Sequence, residues 1–270
     1  MPGIKPREET DTELDYTDKG VSSFREIQHV FGLTQLTRLT LSHNKISQLP
    51  PQIGEMIGLE MLNLWNNHIE ELPTSLSTLP KLRTLNLGMN RLSVLPRGFG
   101  SFVSLEVLDL TYNNLSEKSL PGNFFMMKNL RALYLGDNDF ETIPAEIREL
   151  ASLQILVLRD NDLVSLPSEL GELQRLRELH IQGNRLTVLP PEIGNLDLVG
   201  NKQYFRLDHN PWVKPIQEQL QLGPANVLDY VRTDTYKFLF GRQQTTQGPP
   251  PPKRNKDKKI SRGHAKQGCQ

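Results

Sequence analysis

Histidine and cysteine are the residues best suited to chemistry in this chain, but their spacing indicates no catalytic or metal-binding site. Six histidines are scattered without a shared interval, and the single cysteine, Cys269, is the penultimate residue. His180 and Asp160 occupy positions where neighbouring strands would bring them together, and a histidine beside a carboxylate can transfer protons. No nucleophile accompanies this pair. We therefore interpret it as an ordinary surface contact.

Motifs of the large enzyme classes are absent from the sequence. It contains no glycine-rich phosphate loop followed by lysine, no His-Glu-x-x-His, no cysteine pair with metal spacing and no Gly-x-Ser-x-Gly turn. We therefore predict a protein that is not an enzyme, with no catalytic residue, no metal and no cofactor.

An asparagine at a regular interval indicates the elements that position every surface residue. Seven asparagines end the unit Leu-x-x-Leu-x-Leu-x-x-Asn, with Ile181 as the third apolar residue of the seventh unit, and an eighth closes the series: Asn44, Asn67, Asn90, Asn113, Asn138, Asn161, Asn184 and Asn210. The steps are 23 residues, except for one of 25 and a last one of 26. This length and pattern are those of a leucine-rich repeat.

Each repeat predicts a short strand followed by a turn. Leu39 and Leu41 alternate with polar residues, as in a strand with one buried face, so each coil adds one strand to a long parallel sheet. The asparagine is expected to satisfy backbone groups of the turn, which gives a buried asparagine column. Leu49 and Pro50 predict an extended return on the outer side. The fold class is an α/β solenoid, a leucine-rich repeat horseshoe with a parallel concave sheet.

Both ends of the solenoid are predicted to be closed, because an uncovered coil would expose the core. Leu14 and Tyr16, followed by Lys19 instead of asparagine, predict a degenerate first repeat. Behind the last strand, helices are predicted over 215–222 and 225–240 as a C-terminal cap, with Gly241 as the stop. The buried face of the second is expected to hold Val227, Leu228, Val231, Phe238 and Leu239. The predicted division is a flexible N-terminus at 1–12, a solenoid at 13–212, a helical cap at 213–242 and a disordered tail at 243–270.

The tail carries a positive net charge, although the net charge of the whole chain is zero. Residues 253–270 contain seven basic residues and one acidic residue, a net charge of +6, and the remaining 24 basic and 30 acidic residues leave the body at −6. The tail is either a nuclear-import signal, an anionic-membrane contact, a nucleic-acid contact, or a solvated segment that folds back on the body. We expect no nucleic-acid partner and at most a minor nuclear pool.

The sequence predicts an intracellular protein. Its first 16 residues lack a secretory apolar segment, and no run approaches the roughly 18 apolar residues of a membrane span. A single cysteine excludes disulfides within the chain, which fits a reducing compartment. We therefore expect a soluble, cytoplasmic protein.

The concave face is the best candidate for a binding site, because side chains alternating with the strand leucines align there in columns. Large side chains converge from adjacent repeats: Met61, Trp65, Met89, Tyr112 and Tyr134. Polar residues border them: Asn86, Asp109, Asp137, Arg159 and Asp160. Gly88 and Gly136 are expected to leave room between them for a partner's side chains. Isolated exposed apolar residues are normal, but aromatic anchors grouped inside a charged border are typical of a protein interface.

The specific residues of the repeats now indicate a family. Residues 189–196, Leu-Pro-Pro-Glu-Ile-Gly-Asn-Leu, resemble the intracellular Ras-group leucine-rich repeat proteins. The resemblance covers residues 13–242, and residues 105–116 and 210–212 bring it close to the integrin-adhesion adaptors of that group.

This resemblance implies a non-enzymatic adaptor at focal adhesions. Its implied partner is the last LIM domain of PINCH, and through PINCH it implies integrin-linked kinase and parvin, with an effect on cell adhesion, actin and Ras signalling. A LIM domain is a small module whose fold is stabilised by bound zinc, and this zinc belongs to the partner. The alternative implied by the same group is a scaffold that binds a Ras-family GTPase or an associated phosphatase directly. A third class is binding of anionic lipid or nucleic acid through the tail.

Overall fold

Nine strands of three residues each form a single parallel sheet in the computed structural model, which describes residues 12–246. The strands are β1 (Glu13–Asp15), β2 (Arg38–Thr40), β3 (Met61–Asn63), β4 (Thr84–Asn86), β5 (Val107–Asp109), β6 (Ala132–Tyr134), β7 (Ile155–Val157), β8 (Glu178–His180) and β9 (Tyr204–Arg206). Each strand pairs only with its neighbours in sequence, and the register places Leu39 beside Leu62 and Leu62 beside Leu85. The predicted leucine-rich repeat solenoid is therefore confirmed.

The predicted asparagine column is also confirmed, and Asn113 illustrates its chemistry. The Nδ2 group of Asn113 donates to the carbonyl oxygens of Leu87 and Leu110 at 3.0 Å each, while its Oδ1 accepts from the backbone N–H of Leu92 at 3.0 Å. Asn113 is 1% exposed. One side chain thus satisfies backbone groups of two successive coils that no strand pairing reaches.

The outer side of the solenoid differs from the predicted extended return. Pro50 is extended, with φ −74° and ψ 152°, but a 3-10 helix follows it directly and places Ile53 in the core. A 3-10 turn shortens the path and points one apolar side chain inward from each coil. The 3-10 helices span Phe24–Gly32, Pro51–Glu55, Thr74–Thr78, Phe99–Ser101, Glu117–Ser119, Phe124–Met126, Ala145–Glu149, Ser168–Glu172 and Pro191–Asn195.

The two ends of the solenoid are closed in different ways. β1 pairs with β2 as the predicted degenerate first repeat. The C-terminal cap consists of three helices, α1 (Lys214–Leu222), α2 (Pro224–Val231) and α3 (Asp234–Thr246). Arg232, which directly follows α2, donates from Nε to the carbonyl oxygen of Gly194 at 2.7 Å. Of the predicted N-terminus and tail, residues 1–11 and 247–270 lie outside the described residues.

The single helix predicted over 225–240 is wrong, because the chain breaks between α2 and α3. The hydroxyl of Thr233 accepts from the backbone N–H of Tyr236 at 3.2 Å, as a cap at the start of α3 does. This break turns Phe238 outward to 70% exposure and buries Tyr236, whose hydroxyl donates to the carbonyl oxygen of Leu189. Gly241 lies inside α3 and does not end it.

Candidate protein-binding surface

A left-handed residue follows the strand in every coil and forms one border of the concave face. Eight of these residues have φ between 53° and 57°: Asp18, His43, Asn66, Met89, Tyr112, Asp137, Asp160 and His209. The ninth is Gly183, with φ 70°. Aspartate, asparagine, histidine and glycine tolerate this conformation best. Met89 and Tyr112 are the exceptions in this column, and they lie in adjacent repeats.

Substitution of Met89 by asparagine is expected to raise the free energy of unfolding, by up to about 1 kcal/mol, because asparagine relieves the left-handed strain. The matched control is Met61→Asn in β3, where the backbone is a regular strand and the same change is expected to destabilise. Urea denaturation of both variants measures the difference. Equal destabilisation by the two substitutions would contradict the presence of strain at Met89.

An aromatic corner occupies the centre of the concave face. Trp65 lies over Gly88, where an added β-carbon would fall 2.2 Å from Cζ3 of the indole. The indole reaches Tyr112 edge to face, with ring centroids 6.4 Å apart and an interplanar angle of 86°. This geometry is the favoured one for an aromatic pair. Both rings are half-buried, so they are held in place while part of each stays accessible.

Arg159 approaches the same tyrosine from the opposite side. Its guanidinium carbon lies 5.6 Å from the centre of the Tyr112 ring, within cation–π range. Its Nη1 atom donates to Oδ2 of Asp160 at 2.8 Å and lies 2.7 Å from Oδ2 of Asp137. The aliphatic part of Arg159 crosses Gly136, where a β-carbon would fall 3.1 Å from its Cγ. Two carboxylates and one ring thus fix the guanidinium.

These contacts correct the role predicted for the two glycines. Gly88 makes room for Trp65, and Gly136 makes room for Arg159, so this chain's own side chains fill the space expected for a partner. Trp65, Tyr112 and Arg159 form a continuous row across five coils, and we call them the central row. The space beside both glycines is therefore occupied, and only the outer surface of the row is accessible.

Polar residues at the ends of the strands accept hydrogen bonds from the backbone of the turns that follow. Oδ1 of Asn86 accepts from the backbone N–H of Gly88 at 3.0 Å, and Oδ1 of Asp109 accepts from that of Thr111 at 2.9 Å. Asn63 does the same for Trp65 at 3.1 Å. The sequence signal for these turns is an Asn or Asp at the third strand position. Asn86 and Asp109 therefore hold the turn in shape as well as border the face.

Two groups on this face have shifted acidities. Burial raises the pKa of Asp109, although hydrogen bonds from Thr111 oppose the shift. Burial, together with the carboxylates of Asp109 and Glu178, raises the pKa of Tyr134, so its hydroxyl remains a hydrogen-bond donor at neutral pH.

Met61 and Tyr134 are both half-buried on this face and complete the predicted set. Contacts join five of the ten predicted residues, namely Trp65, Tyr112, Asp137, Arg159 and Asp160.

The candidate acid–base pair does not form. The carboxylate of Asp160 accepts from Arg159, whereas Nε2 of His180 lies 3.8 Å from Oε2 of Glu178. Burial lowers the pKa of His180 despite that carboxylate. Burial therefore favours the neutral form of this histidine, whose nearest carboxylate contact is with Glu178 and not with Asp160.

Comparison with known proteins agrees with this architecture. The protein-family model for a leucine-rich repeat region matches residues 14–135 and 101–221 of this chain. Ras suppressor protein 1 of Mus musculus is 67% identical over 258 residues, which cover 95% of this chain and 93% of that protein. The chain belongs to the Ras suppressor protein 1 family.

Other comparisons show how far the likeness to this family and fold extends. Ras suppressor protein 1 of Homo sapiens is 61% identical over 69 residues, 25% of this chain and 24% of that protein. The leucine-rich repeat ectodomain of the plant receptor kinase GASSHO1/SCHENGEN3 from Arabidopsis thaliana is 30% identical with a TM-score of 0.62, over 74% of this chain and 24% of that one. A TDR receptor gives 25% identity and a TM-score of 0.64, over 75% and 44% of the two chains.

Membership of the Ras suppressor protein 1 family makes this chain a non-enzymatic leucine-rich repeat scaffold for protein binding. The solenoid supplies a rigid sheet, and the central row supplies fixed aromatic and guanidinium groups on it. Within residues 12–246, no helix has the length and apolar character needed to cross a bilayer.

Proposed function

We propose that this chain is an adaptor that holds the last LIM domain of PINCH against the middle repeats of its concave face. PINCH then links it to integrin-linked kinase and parvin, which places the chain in the cytoplasm at focal adhesions. Its effects on cell adhesion, actin and Ras signalling follow from membership of that complex. No cofactor is required, and the zinc is that of the LIM domain.

The observation that carries this proposal is the central row. Tryptophan, tyrosine and arginine are the residue types that contribute most to protein interfaces when they lie at the centre of a contact. Here Trp65, Tyr112 and Arg159 support one another through ring and cation–π contacts. Because their rotamers are fixed before a partner arrives, binding costs little side-chain entropy.

The border of the row favours a partner with basic side chains. Four carboxylates lie on this part of the face, those of Asp109, Asp137, Asp160 and Glu178, against the single guanidinium of Arg159. Asp137 and Asp160 together carry one negative charge more than the Arg159 that they contact, and the partly exposed Glu178 adds another, so this part of the face attracts a cation. A small rigid domain with lysine or arginine on its surface fits this curved and rigid face.

Titration of the full chain with the isolated last LIM domain of PINCH tests the proposal. We expect a one-to-one complex, and another LIM domain of PINCH serves as the control because it shares the zinc fold but has a different surface. A Ras-family GTPase is titrated in parallel, loaded with GDP or with a non-hydrolysable GTP analogue. Nucleotide-dependent binding of the GTPase without binding of the LIM domain would replace the adaptor by the GTPase scaffold.

A further inference from the structure

A polar cleft lies at the edge of the solenoid where β7, β8 and β9 begin, outside the concave surface described above. It has a volume of about 420 Å³ and is lined by Gln154, Gln174, Arg175, Leu176, Arg177, Asp197 and Gln203. Residues 197–202 lengthen the last repeat, so that Asn210 follows Asn184 by 26 residues instead of 23. Asp197 and Gln203, at the two ends of this insertion, form one wall of the cleft.

The charges of the residues directly before the strands determine why the cleft is basic. In the middle repeats this column alternates in charge, and Glu106 contacts Arg83 at 3.0 Å and Arg131 at 3.6 Å. Towards the C-terminus the same column continues as Gln154, Arg177 and Gln203. Neutral glutamines thus flank Arg177 on both sides, where the pattern of the middle repeats would place glutamates.

Arg175 and Arg177 are both exposed, and neither forms an ion pair or a side-chain hydrogen bond with any residue between 12 and 246. The one carboxylate of the lining, Asp197, accepts from Nε2 of Gln203 at 2.6 Å. Nε2 of Gln174 donates to the carbonyl oxygen of Gly171 at 3.0 Å. The cleft therefore presents two open guanidinium groups against one carboxylate that is already hydrogen-bonded.

We propose that this cleft binds a phosphorylated residue in an extended segment of a partner protein. Two guanidinium groups are matched by a phosphate, which carries nearly two negative charges and three acceptor oxygens at neutral pH. A single carboxylate carries only one negative charge and two oxygens, so it would leave one arginine unpaired. A volume of this size is in the range of peptide and small-ligand sites.

The shape of the cleft favours a peptide over a membrane. Arg175 and Arg177 line a recess beside the acidic Asp197, whereas an anionic bilayer attracts clusters of several lysines and arginines on one open surface. A side chain that projects from an extended segment reaches such a recess, and a planar headgroup layer does not.

Nuclear magnetic resonance of the full chain tests this site with short glycine-flanked peptides that contain phosphoserine, phosphotyrosine or aspartate. We expect a phosphorylated peptide to shift the Nε–H signals of Arg175 and Arg177 and to bind at least tenfold more tightly than the aspartate peptide. Arg177→Ala is expected to weaken this binding at least tenfold. Gln154→Glu is expected to do the same while keeping both arginines, because it restores the acidic neighbour that Arg83 and Arg131 have.

Arg83→Ala is the matched control, since this arginine occupies the same column but is already paired with Glu106. Its peptide binding is expected to equal that of the parent chain. Absence of a saturable shift, or an equal loss in Arg83→Ala and Arg177→Ala, would overturn the site. Vesicles that contain a phosphoinositide are tested in parallel, and binding to these without binding to either phosphopeptide would overturn the assignment to a protein segment.

Discussion

Replacement of Asn113 by alanine is expected to lower the free energy of unfolding by about 3 kcal/mol or more, because each buried backbone group left unpaired costs about 1–3 kcal/mol. The side chain donates to the carbonyl oxygens of Leu87, Leu110 and Thr111 and accepts from the N–H of Leu92. At 1% exposure there is no access for water to replace these bonds. The loss therefore affects two neighbouring coils at once.

Asn114→Ala is the control for this substitution. Asn114 is the next residue in the chain and is half-buried, and no described residue forms a hydrogen bond with its side chain. We expect urea denaturation to show a change of less than about 0.5 kcal/mol for this variant, as for ordinary surface substitutions. A similar, small loss for both variants would show that the asparagine column does not stabilise the solenoid.

Substitution of Gly88 by alanine is expected to weaken partner binding by about tenfold, or about 1.4 kcal/mol, while the solenoid stays folded. The new β-carbon would lie 2.2 Å and 2.4 Å from Cζ3 and Cε3 of Trp65, so the indole must leave its place. That movement breaks the edge contact with Tyr112 and disorders the central row. The backbone of Gly88 is not left-handed and accommodates alanine, although the new β-carbon would also lie 3.2 Å from the carbonyl oxygen of Thr111, which must shift by a few tenths of an ångström.

Gly136→Ala is the matched control, because its β-carbon would lie 3.1 Å from Cγ of Arg159, and that flexible side chain moves by a few tenths of an ångström. We expect its affinity for the LIM domain to stay within about threefold of the parent chain. Calorimetric titration of both variants compares them. Equal affinities for Gly88→Ala and Gly136→Ala would show that the position of Trp65 does not matter for binding.

Much of the fold was predictable because the repeat unit encodes both the strand and its register. A constant step of 23 residues places Leu39, Leu62 and Leu85 side by side, and it does so without any knowledge of other chains. The asparagine column was predictable for the same reason, since a short amide side chain offers both two N–H donors and a carbonyl acceptor to the backbone groups of the turn. Of the ten predicted residues, Met61, Asn86, Asp109 and Tyr134 lie in the strands and followed from the strand alternation, whereas the other six lie just after the strands and followed from the repeat spacing.

The contacts between those surface residues were not predictable from the pattern. Strand alternation determines the face of the sheet from which a side chain projects, whereas the rotamer determines which residues that side chain contacts. Trp65 leans over Gly88 and Arg159 leans over Gly136, and in each case the missing β-carbon of the glycine admits the larger neighbour. The left-handed conformation at Met89 and Tyr112 was also missed, although the other members of their column are Asp, Asn, His and Gly, the residue types that tolerate it best.

Segments outside the repeat were the least predictable. The 3-10 helices depend on the length of the outer path, which the leucine pattern does not state. The break before α3 depends on Thr233, whose hydroxyl competes with the helix for a backbone N–H. Apolar spacing alone had placed Phe238 inside, whereas the tertiary contact between Tyr236 and Leu189 decides which aromatic side chain is buried.

Calorimetric titration of the last LIM domain of PINCH into the full chain and into its Trp65→Ala and Tyr112→Ala variants tests the central claim most directly. The account predicts one-to-one binding to the parent chain and a loss of about 1 kcal/mol or more in each variant, roughly fivefold in affinity. Circular dichroism establishes that both variants are folded. Full affinity in two folded variants would contradict the assignment of the binding surface to the central row.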